Sequence, residues 1–174
     1  MGDLLAARAI EDGDDDTIRS LLEEVCAVTD MGFAAVARVT EDRWIACQVH
    51  DKIEFGLKPG EELAVQTTIC NEIREHRGAV VFDDALADEG WRTHPVPILY
   101  GFRSYASFPI VLADGAFYST LCAIDPSPRS LSAAAVVTAL RACAERVAAH
   151  LASRPGVGHE IVAYRLPKDA WQLL

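Results

Sequence analysis

This chain of 174 residues lacks the sequence features that identify several classes of protein. No apolar run approaches the roughly 20 residues that a helix needs to cross a bilayer. The N-terminal stretch MGDLLAARAIEDGDDD has no cationic segment of the kind that opens a secretory signal. We therefore expect a cytoplasmic protein with no membrane partner, built as one domain that buries a hydrophobic core.

Positive charge is scarce, since 16 lysines and arginines stand against 26 aspartates and glutamates. The resulting net charge of −10 disfavours binding to a phosphate backbone, which requires a basic surface. Arg141 and Arg146, on one predicted helix, are the nearest candidates for a local basic patch. We expect no nucleic-acid partner.

The spacing of the cysteines and the absence of common catalytic motifs disfavour several further kinds of functional site. The five cysteines, at positions 26, 47, 70, 122 and 143, include no C-x-x-C pair. Their spacing disfavours a structural zinc site and their odd number disfavours a disulfide framework, so we expect no metal and reduced, buried thiols. The sequence also lacks G-x-S-x-G, P-loop, H-E-x-x-H and G-x-G-x-x-G motifs. These absences favour a protein that is not an enzyme.

Apolar residues at helical spacing predict three helices. An acidic segment, residues 1–16, precedes the first helix and supplies aspartates that can cap its free N–H groups. We expect the first two helices to end at Gly32 and Gly78, and the last to begin with Ser130 or Ser132 as N-cap. The three predicted helices comprise residues 17–30, 66–78 and 130–152.

Alternating apolar residues predict two hairpins with a buried strand between them. The second hairpin is YASFPIVLADGAFYSTLCAID, residues 105–125, which turns at Asp114-Gly115. Prolines and glycines break residues 85–102, where we expect an irregular but packed loop rich in aromatics. Hairpins pair antiparallel, so the predicted fold class is α+β with a helical layer on one face of the sheet. The first hairpin comprises residues 33–40 and 43–50, and the buried strand 79–84.

The last predicted helix carries alanines around much of its circumference. Two interpretations remain open: high helix propensity alone, or the close approach of a second helix in a dimer. The tail, residues 154–174, reads as a short strand with an amphipathic end, and the sequence assigns it no role.

An ordered set of short motifs lies in the region from Thr68 to Pro126: TTICNEIRE, VVFDDALAD, THP, YGFRSYASFPI, DG and TLCAIDP. In order and spacing this set resembles the GAF domain family, the small-molecule-sensing modules of bacterial sensor kinases and phytochrome-like proteins. The resemblance implies a domain over residues 17–153 with an antiparallel sheet of five or six strands. It places the N- and C-terminal helices on one face of the sheet and a ligand pocket, roofed by the middle helix and the long loop, on the other.

The resemblance also implies a homodimer through the terminal helices that passes a signal to a partner protein. Two departures from the family bear on this expectation. Ser119 stands where the family pattern suggests a glycine, which changes how closely the backbone can be approached. No kinase, cyclase or DNA-binding region follows, so the partner would act in trans unless the chain is a fragment.

Other activities known in the family remain as alternatives. A bilin chromophore would call for a Cys-His pair, but Asn71 follows Cys70, and the Asp-Ile-Pro signature of phytochromes is missing. An activity similar to that of free methionine sulfoxide reductases would call for cysteines in the loop 85–102, which has none. That activity would have to depend on Cys70 or Cys122 instead.

The polar candidates for the pocket each have a structural interpretation as well. Asp83 and Asp84 either accept hydrogen bonds from a ligand or stabilise the turn after the strand. They can also hold His94 or Arg103 in place. Arg103 in turn pairs either with a carboxylate ligand or with one of the two aspartates.

Strand alternation assigns the second hairpin's residues to its two faces. Tyr105 and Ser107 share the more polar face, which we assign to the pocket, with Thr120 or Cys122 opposite them. The aromatic residues of the loop either line a cavity or fill it, and a filled cavity would leave a dimerisation scaffold. The candidate ligand-binding residues are Cys70, Asp83, Asp84, Trp91, His94, Tyr100, Arg103, Tyr105, Ser107, Thr120 and Cys122.

Overall fold

Six β-strands and five α-helices make up the part of the chain that this computed structural model describes, residues 3–155 and 157. A short 3₁₀ turn, Val65–Thr67, also precedes the third helix. The helices are α1 (Leu4–Gly13), α2 (Asp16–Thr29), α3 (Ile69–His76), α4 (Pro95–Tyr100) and α5 (Ala134–Ala152). The strands are β1 (Phe33–Val39), β2 (Trp44–Asp51), β3 (Glu62–Leu63), β4 (Val80–Phe82), β5 (Ser104–Val111) and β6 (Phe117–Asp125).

The strands form one antiparallel sheet in the order β3-β2-β1-β6-β5-β4. The predicted hairpins are β1–β2 and β5–β6, and the central pairing of β1 with β6 joins them. The α+β class and the six-stranded antiparallel sheet are therefore confirmed. The sequence did not predict β3, because a strand of two residues shows no alternation.

The terminal helices α2 and α5 pack side by side on one face of the sheet, as predicted. Asp15 caps α2 by accepting a hydrogen bond from the Thr17 N–H at 2.7 Å. At the surface, Arg146 Nη1 donates to both carboxylate oxygens of Glu24, at 3.0 and 2.8 Å. The buried stripes of the two helices contain Ile18, Leu21, Leu22 and Val25 of α2, and Leu140, Cys143, Val147 and Leu151 of α5.

Helix α1 packs against β2 on the same face, within the segment that the sequence analysis treated only as acidic. Asp3 caps it by accepting a hydrogen bond from the Ala6 N–H at 3.1 Å. At its other end, Gly13 lies so close to β2 that an added Cβ would lie 2.2 Å from the Cys47 carbonyl oxygen. Its small, alanine-rich face makes a weak periodic signal, which explains why the sequence did not predict it.

Two helix ends differ from the prediction. Helix α2 stops at Thr29, and Asp30 rather than Gly32 takes the left-handed position, with φ 57°. Gly32 instead donates its N–H to Asp125 Oδ2 at 2.8 Å. Helix α3 likewise ends with Arg77 at φ 59°, before Gly78. The prediction chose glycines because they adopt this conformation at no steric cost, but other residues adopt it when the helix end requires it.

The prediction of an irregular loop over residues 85–102 is wrong for its last third, which forms α4. Pro95 lies in the first turn, where a helix needs no N–H donor. Gly101 ends the helix in the left-handed region, with φ 71°. The prolines therefore begin this helix rather than prevent it.

The start of α5 also differs from the prediction. Neither Ser130 nor Ser132 caps the helix, since the N-cap residue is Ala133 and no side chain caps it. Ser132 Oγ instead donates to Asp83 Oδ2 at 2.7 Å. The predicted strand in the tail lies outside the described residues.

No helix within the described ranges is both long enough and apolar enough to cross a membrane.

Candidate functional site

The face of the sheet opposite α2 and α5 carries a second buried cluster, which α3 and α4 cover. Between the sheet and these helices lies a cavity of ≈ 40 Å³, which we call the chamber. Its walls are apolar apart from a few hydroxyl, thiol and indole groups. The chamber is lined by Phe33, Trp44, Phe55, Leu57, Leu63, Thr67, Thr68, Ile69, Cys70, Val96, Tyr100, Phe102, Tyr105, Cys122 and Ile124.

Strand alternation delivers the polar groups to this face. Ser107 pairs with Cys122 across β5 and β6, so their side chains point to the same side of the sheet. Tyr105 and Thr120 lie on the same face by the same alternation. Helix α3 crosses above them and buries Cys70 together with its apolar residues.

The sulfur of Cys70 is the point on which these groups converge. Thr120 Oγ1 donates to it at 3.3 Å, and the Tyr105 hydroxyl lies 3.6 Å away. Ser107 Oγ lies 3.9 Å from the same sulfur. Cys122 pairs with Ser107 across β5 and β6 and lines the chamber together with Cys70, and both cysteines are free. Three side chains from two strands, β5 and β6, therefore surround the buried sulfur of Cys70.

The pKa values of the two thiols shift in opposite directions. A hydrogen bond from Cys122 lowers the pKa of Cys70 against the effect of burial, and the hydrogen bond from Thr120 lowers it further. The same bond to Cys70, together with burial, raises the pKa of Cys122 well above its ordinary value. Burial also raises the pKa of Tyr105, which keeps its phenol neutral. The pair thus favours one thiolate, at Cys70, with Cys122 as its donor.

The indole N–H of Trp44 faces the same region. Trp44 is only 2% exposed, and its Nε1 has no hydrogen-bond partner among the described residues. Trp44 and Cys70 both line the chamber. A buried donor without a partner is costly, so this group is available to an acceptor in the chamber.

Aromatic rings form the boundary between the chamber and the surface. Phe55 lies between Phe33 and Tyr100, with ring centroids 4.9 and 6.1 Å away. Thr67 Oγ1 and the Tyr100 hydroxyl lie 2.7 Å apart. Outside them is a surface cleft of ≈ 520 Å³, which we call the cleft. The chamber and the cleft share six lining residues: Phe55, Leu57, Leu63, Tyr100, Phe102 and Ile124.

Trp91 and His94 lie beside the chamber, not in its lining. The Trp91 ring stacks on Phe82 at 4.6 Å, and Phe82 in turn stacks on Tyr105 at 5.4 Å. His94 Nδ1 accepts the N–H of Val96 and so caps α4, while its Nε2 lies 3.3 Å from Glu72 Oε1 on α3. These two residues support the roof of the chamber.

The two predicted aspartates and Arg103 have structural partners. Arg103 donates from Nε and Nη2 to the carboxylate of Asp84, at 3.0 and 2.6 Å. Asp83 accepts hydrogen bonds from the N–H groups of Leu131 and Ser132, at 2.8 and 2.7 Å. Neither aspartate lines the chamber. Asp84 makes the local turn contact, accepting the Leu86 N–H at 3.1 Å, and it also holds Arg103, whereas Asp83 binds a distant segment instead of its own turn.

Most of the residues that line the chamber were not among the sequence candidates, including Trp44, Phe55 and Thr67. Trp44 begins β2, where alternation with its neighbours marks the chamber face, so its position was predictable once β1–β2 was oriented. Phe55 and Thr67 lie in irregular segments, where no periodicity indicates the direction of a side chain. Their place in the site follows only from the tertiary fold.

No group of three or more histidine, cysteine or acidic side chains suited to a metal ion occurs among the described residues. The chemistry that the chamber offers is therefore that of hydroxyl, indole and thiol groups in an apolar enclosure. Such a site can bind a small molecule through aromatic contacts and a few hydrogen bonds, and it can support reactions of a thiol.

Comparisons with known proteins agree with this architecture. The model of the GAF domain family matches residues 15–151. No curated protein sequence matches the chain. Among solved structures, the chromophore-binding domain of Stigmatella aurantiaca bacteriophytochrome is similar with a TM-score of 0.64 at 13% identity, over 87% of this chain and 61% of that chain. This chain thus spans less than two thirds of that protein's structure.

This chain covers nearly the whole length of two other solved structures. The blue-light absorbing form of the Thermosynechococcus elongatus PixJ GAF domain has a TM-score of 0.63 at 11% identity, over 94% of this chain and 96% of that chain. The GAF domain from Acinetobacter phosphoenolpyruvate-protein phosphotransferase has a TM-score of 0.60 at 11% identity, over 95% of this chain and 100% of that chain. At these identities the likeness concerns the fold.

Proposed function

This chain belongs to the GAF domain family, and we propose that it is a non-enzymatic sensory domain that binds a small molecule in the chamber. The observation that carries the proposal is the orphan donor of Trp44 in an otherwise apolar, aromatic-walled cavity on the face of the sheet away from the terminal helices. Ligand sites commonly combine apolar walls with a few convergent polar groups.

The size of the site supports a ligand that enters from the cleft. The chamber alone, at ≈ 40 Å³, holds little more than a few heavy atoms, whereas the cleft outside it measures ≈ 520 Å³. Rotation of Phe55 and Tyr100 would join the two spaces into a pocket within the usual range of about 300–1,000 Å³. The ligand class that suits this pocket is a flat, mostly apolar molecule with one hydrogen-bond acceptor directed at Trp44.

Two measurements test ligand binding. Mass spectrometry of the natively purified protein should detect a co-purifying small molecule. A thermal-stability screen against a metabolite library should show stabilisation of about 2.7 kcal/mol at a hundredfold excess over Kd. Phe55→Ala should weaken the response, because it removes a wall of both spaces, while Leu86→Ala, at a side chain 61% exposed outside both spaces, should not. A protein that carries no ligand and responds to none would contradict the proposal.

The output of the domain is proposed to be a homodimer that acts on a partner protein. Ala135, Ala142 and Ala149 are exposed on α5 at intervals of seven residues, a spacing that lets a second helix approach. Ala142→Glu should therefore lower the mass measured by light scattering after size exclusion. Leu86→Glu adds the same charge outside α5 and should leave the mass unchanged. A wild-type protein that stays monomeric at high concentration would argue against this arrangement.

A bilin is a second candidate ligand, which the likeness to chromophore-binding domains of phytochromes favours. It would require a large opening of the chamber. Absorption spectra of protein produced with and without biliverdin separate the two candidates, because a bound bilin adds a visible band that other ligands lack.

A further inference from the structure

We propose that Cys70 and Cys122 form a redox pair, in which Cys70 reacts with a small hydroperoxide and Cys122 converts the product to a disulfide. This modification site lies in the chamber, but the inference does not rest on the proposed ligand binding. It rests on the arrangement of groups around the Cys70 sulfur.

Polar side chains surround the Cys70 sulfur. The hydroxyls of Thr120 and Tyr105 lie 3.3 and 3.6 Å from it. Cys122 lines the same chamber, paired across the strands with Ser107, whose Oγ lies 3.9 Å from the Cys70 sulfur. A thiolate, not a thiol, is the nucleophile, and hydrogen bonds to the charged form favour it even in a buried site. Cys70 is therefore the attacking sulfur of the pair, and Cys122 is the thiol that remains protonated.

The indole N–H of Trp44 is an unpaired donor in the same site. It lines the same chamber and has no acceptor within the described ranges. When a thiolate attacks a peroxide, negative charge develops on the departing oxygen. A fixed donor in a water-poor cavity stabilises such a charge well, because it does not have to reorient during the reaction.

The size of the chamber limits which oxidants fit beside Cys70. A volume of ≈ 40 Å³ exceeds what a water molecule needs, so a hydroperoxide of two oxygen atoms fits beside Cys70. A bulky thiol does not fit without opening of the boundary at Phe55 and Tyr100. The chamber thus admits the oxidant, and Cys122 is the thiol that shares the chamber with the intermediate.

The reaction balances with hydrogen peroxide as the oxidant. The Cys70 thiolate attacks one oxygen, an S–O bond forms, and the O–O bond breaks. The hydroxide that leaves takes up the proton that Cys70 had released and departs as water. Cys122 sulfur then attacks the Cys70 sulfenic acid, an S–S bond forms, the S–O bond breaks, and the hydroxyl leaves as a second water with the Cys122 proton. Two thiols lose two electrons in total, and one peroxide gains them.

The other cysteines of the chain are internal controls. Burial raises the pKa of Cys26 to about 11 and that of Cys47 to about 12, and it raises the pKa of Cys143 as well. All three lie in the core behind the sheet, away from the chamber. A general reaction of peroxide with the protein would affect these thiols too, whereas the proposed site reacts selectively.

The test uses the reduced chain of 174 residues and hydrogen peroxide itself, followed by alkylation, trypsin digestion and mass spectrometry. We expect a disulfide-linked pair of peptides, residues 53–74 with residues 104–129, and alkylated Cys26, Cys47 and Cys143. Cys70 should be consumed at least about tenfold faster than those three. Oxidation of all five cysteines at one rate, or of Cys70 with no linked pair, would overturn the proposal.

Two variants separate the steps. Cys122→Ala should stop the reaction at a Cys70 sulfenic acid, which dimedone captures, and Cys70→Ala should leave Cys122 alkylated. Cys143→Ala is the matched control and should form the disulfide as the wild type does. A ligand that stabilises the protein in the screen above, with no disulfide formed by peroxide, would refute this inference and leave the sensory function standing. A disulfide formed by peroxide, with no ligand that stabilises the protein, would support this inference and contradict the proposed ligand binding.

Discussion

Thr67 Oγ1 and the Tyr100 hydroxyl lie 2.7 Å apart, and their hydrogen bond joins the turn before α3 to the last residue of α4. Both residues line the chamber, and Tyr100 also lines the cleft. The Phe55 ring, from a third segment, lies 6.1 Å from that of Tyr100. Access to Cys70 therefore depends on how often these three segments separate.

Tyr100→Phe should make Cys70 more accessible. The change removes the hydroxyl but keeps the ring, so it costs the hydrogen bond alone, about 0.5–1.5 kcal/mol. The open state should then be populated about two- to tenfold more often. Alkylation of reduced Cys70 by iodoacetamide, followed over time by mass spectrometry, measures this rate. Ile98→Ala, at a side chain 66% exposed on the same helix, should leave the rate unchanged; an unaltered rate in Tyr100→Phe would show that the bond does not control access.

Asp125→Ala should destabilise the fold. The Asp125 carboxylate is buried and accepts the N–H groups of Gly32 and Ser127, each at 2.8 Å. It thereby joins the start of β1 to the end of β6. Loss of the carboxylate leaves the buried N–H of Gly32 unpaired, so the free energy of unfolding in urea should fall by about 1–3 kcal/mol. Glu89→Ala, at an exposed position, should change it by no more than about 0.5 kcal/mol.

Gly13→Ala should displace α1 from the sheet. The added Cβ would lie 2.2 Å from the carbonyl oxygen and 2.4 Å from the carbonyl carbon of Cys47, and backbone atoms of a central strand cannot easily move. Overpacking of this kind costs about 1–3 kcal/mol, measurable as a lower midpoint in urea. Gly78→Ala is the matched control, since its Cβ would meet nothing within 4 Å. Equal stability of the two variants would contradict the close packing of α1 on β2.

Stability should depend on pH through the pair of Asp84 and Arg103. Hydrogen bonds from Arg103 lower the pKa of Asp84 below its usual value of about 3.9. Because the folded pKa is the lower one, the pair stabilises the fold above the unfolded pKa, and this contribution disappears as the pH falls through the folded pKa. The difference in Tm between wild type and Arg103→Met should therefore be present at pH 7 and shrink toward pH 3. A difference that stays constant over this range, or that Arg92→Met reproduces, would point to another cause.

Periodicity sufficed for much of the fold. The alternation of Tyr105 and Ser107 against their neighbours identified the chamber face of β5 before any coordinates, because a strand has only two faces. Helical spacing likewise identified the buried stripe of α5, from Leu140 to Leu151. The method failed where the pattern was short or built from small residues, as at β3 and α1.

The site was less predictable than the fold. Cys70, Tyr105, Thr120 and Cys122 were candidates because they lie on regular elements. Phe55 belongs to an irregular segment whose side-chain directions follow from contacts with distant residues. Asp83 was a candidate from its position at a strand end, yet its carboxylate turns toward the segment before α5.

By itself, the sequence determined most of the longer elements, the antiparallel class of the sheet and the face on which the residues of the long strands lie, because those depend on periods of 2 and 3.6 along the chain. Only the tertiary structure decided that Cys70, Cys122 and Trp44 line one chamber, and that Arg103 pairs with Asp84. These contacts join residues far apart in the chain, and their distances depend on how α3 and the loops pack on the sheet. Packing of that kind leaves no periodic trace in a single sequence.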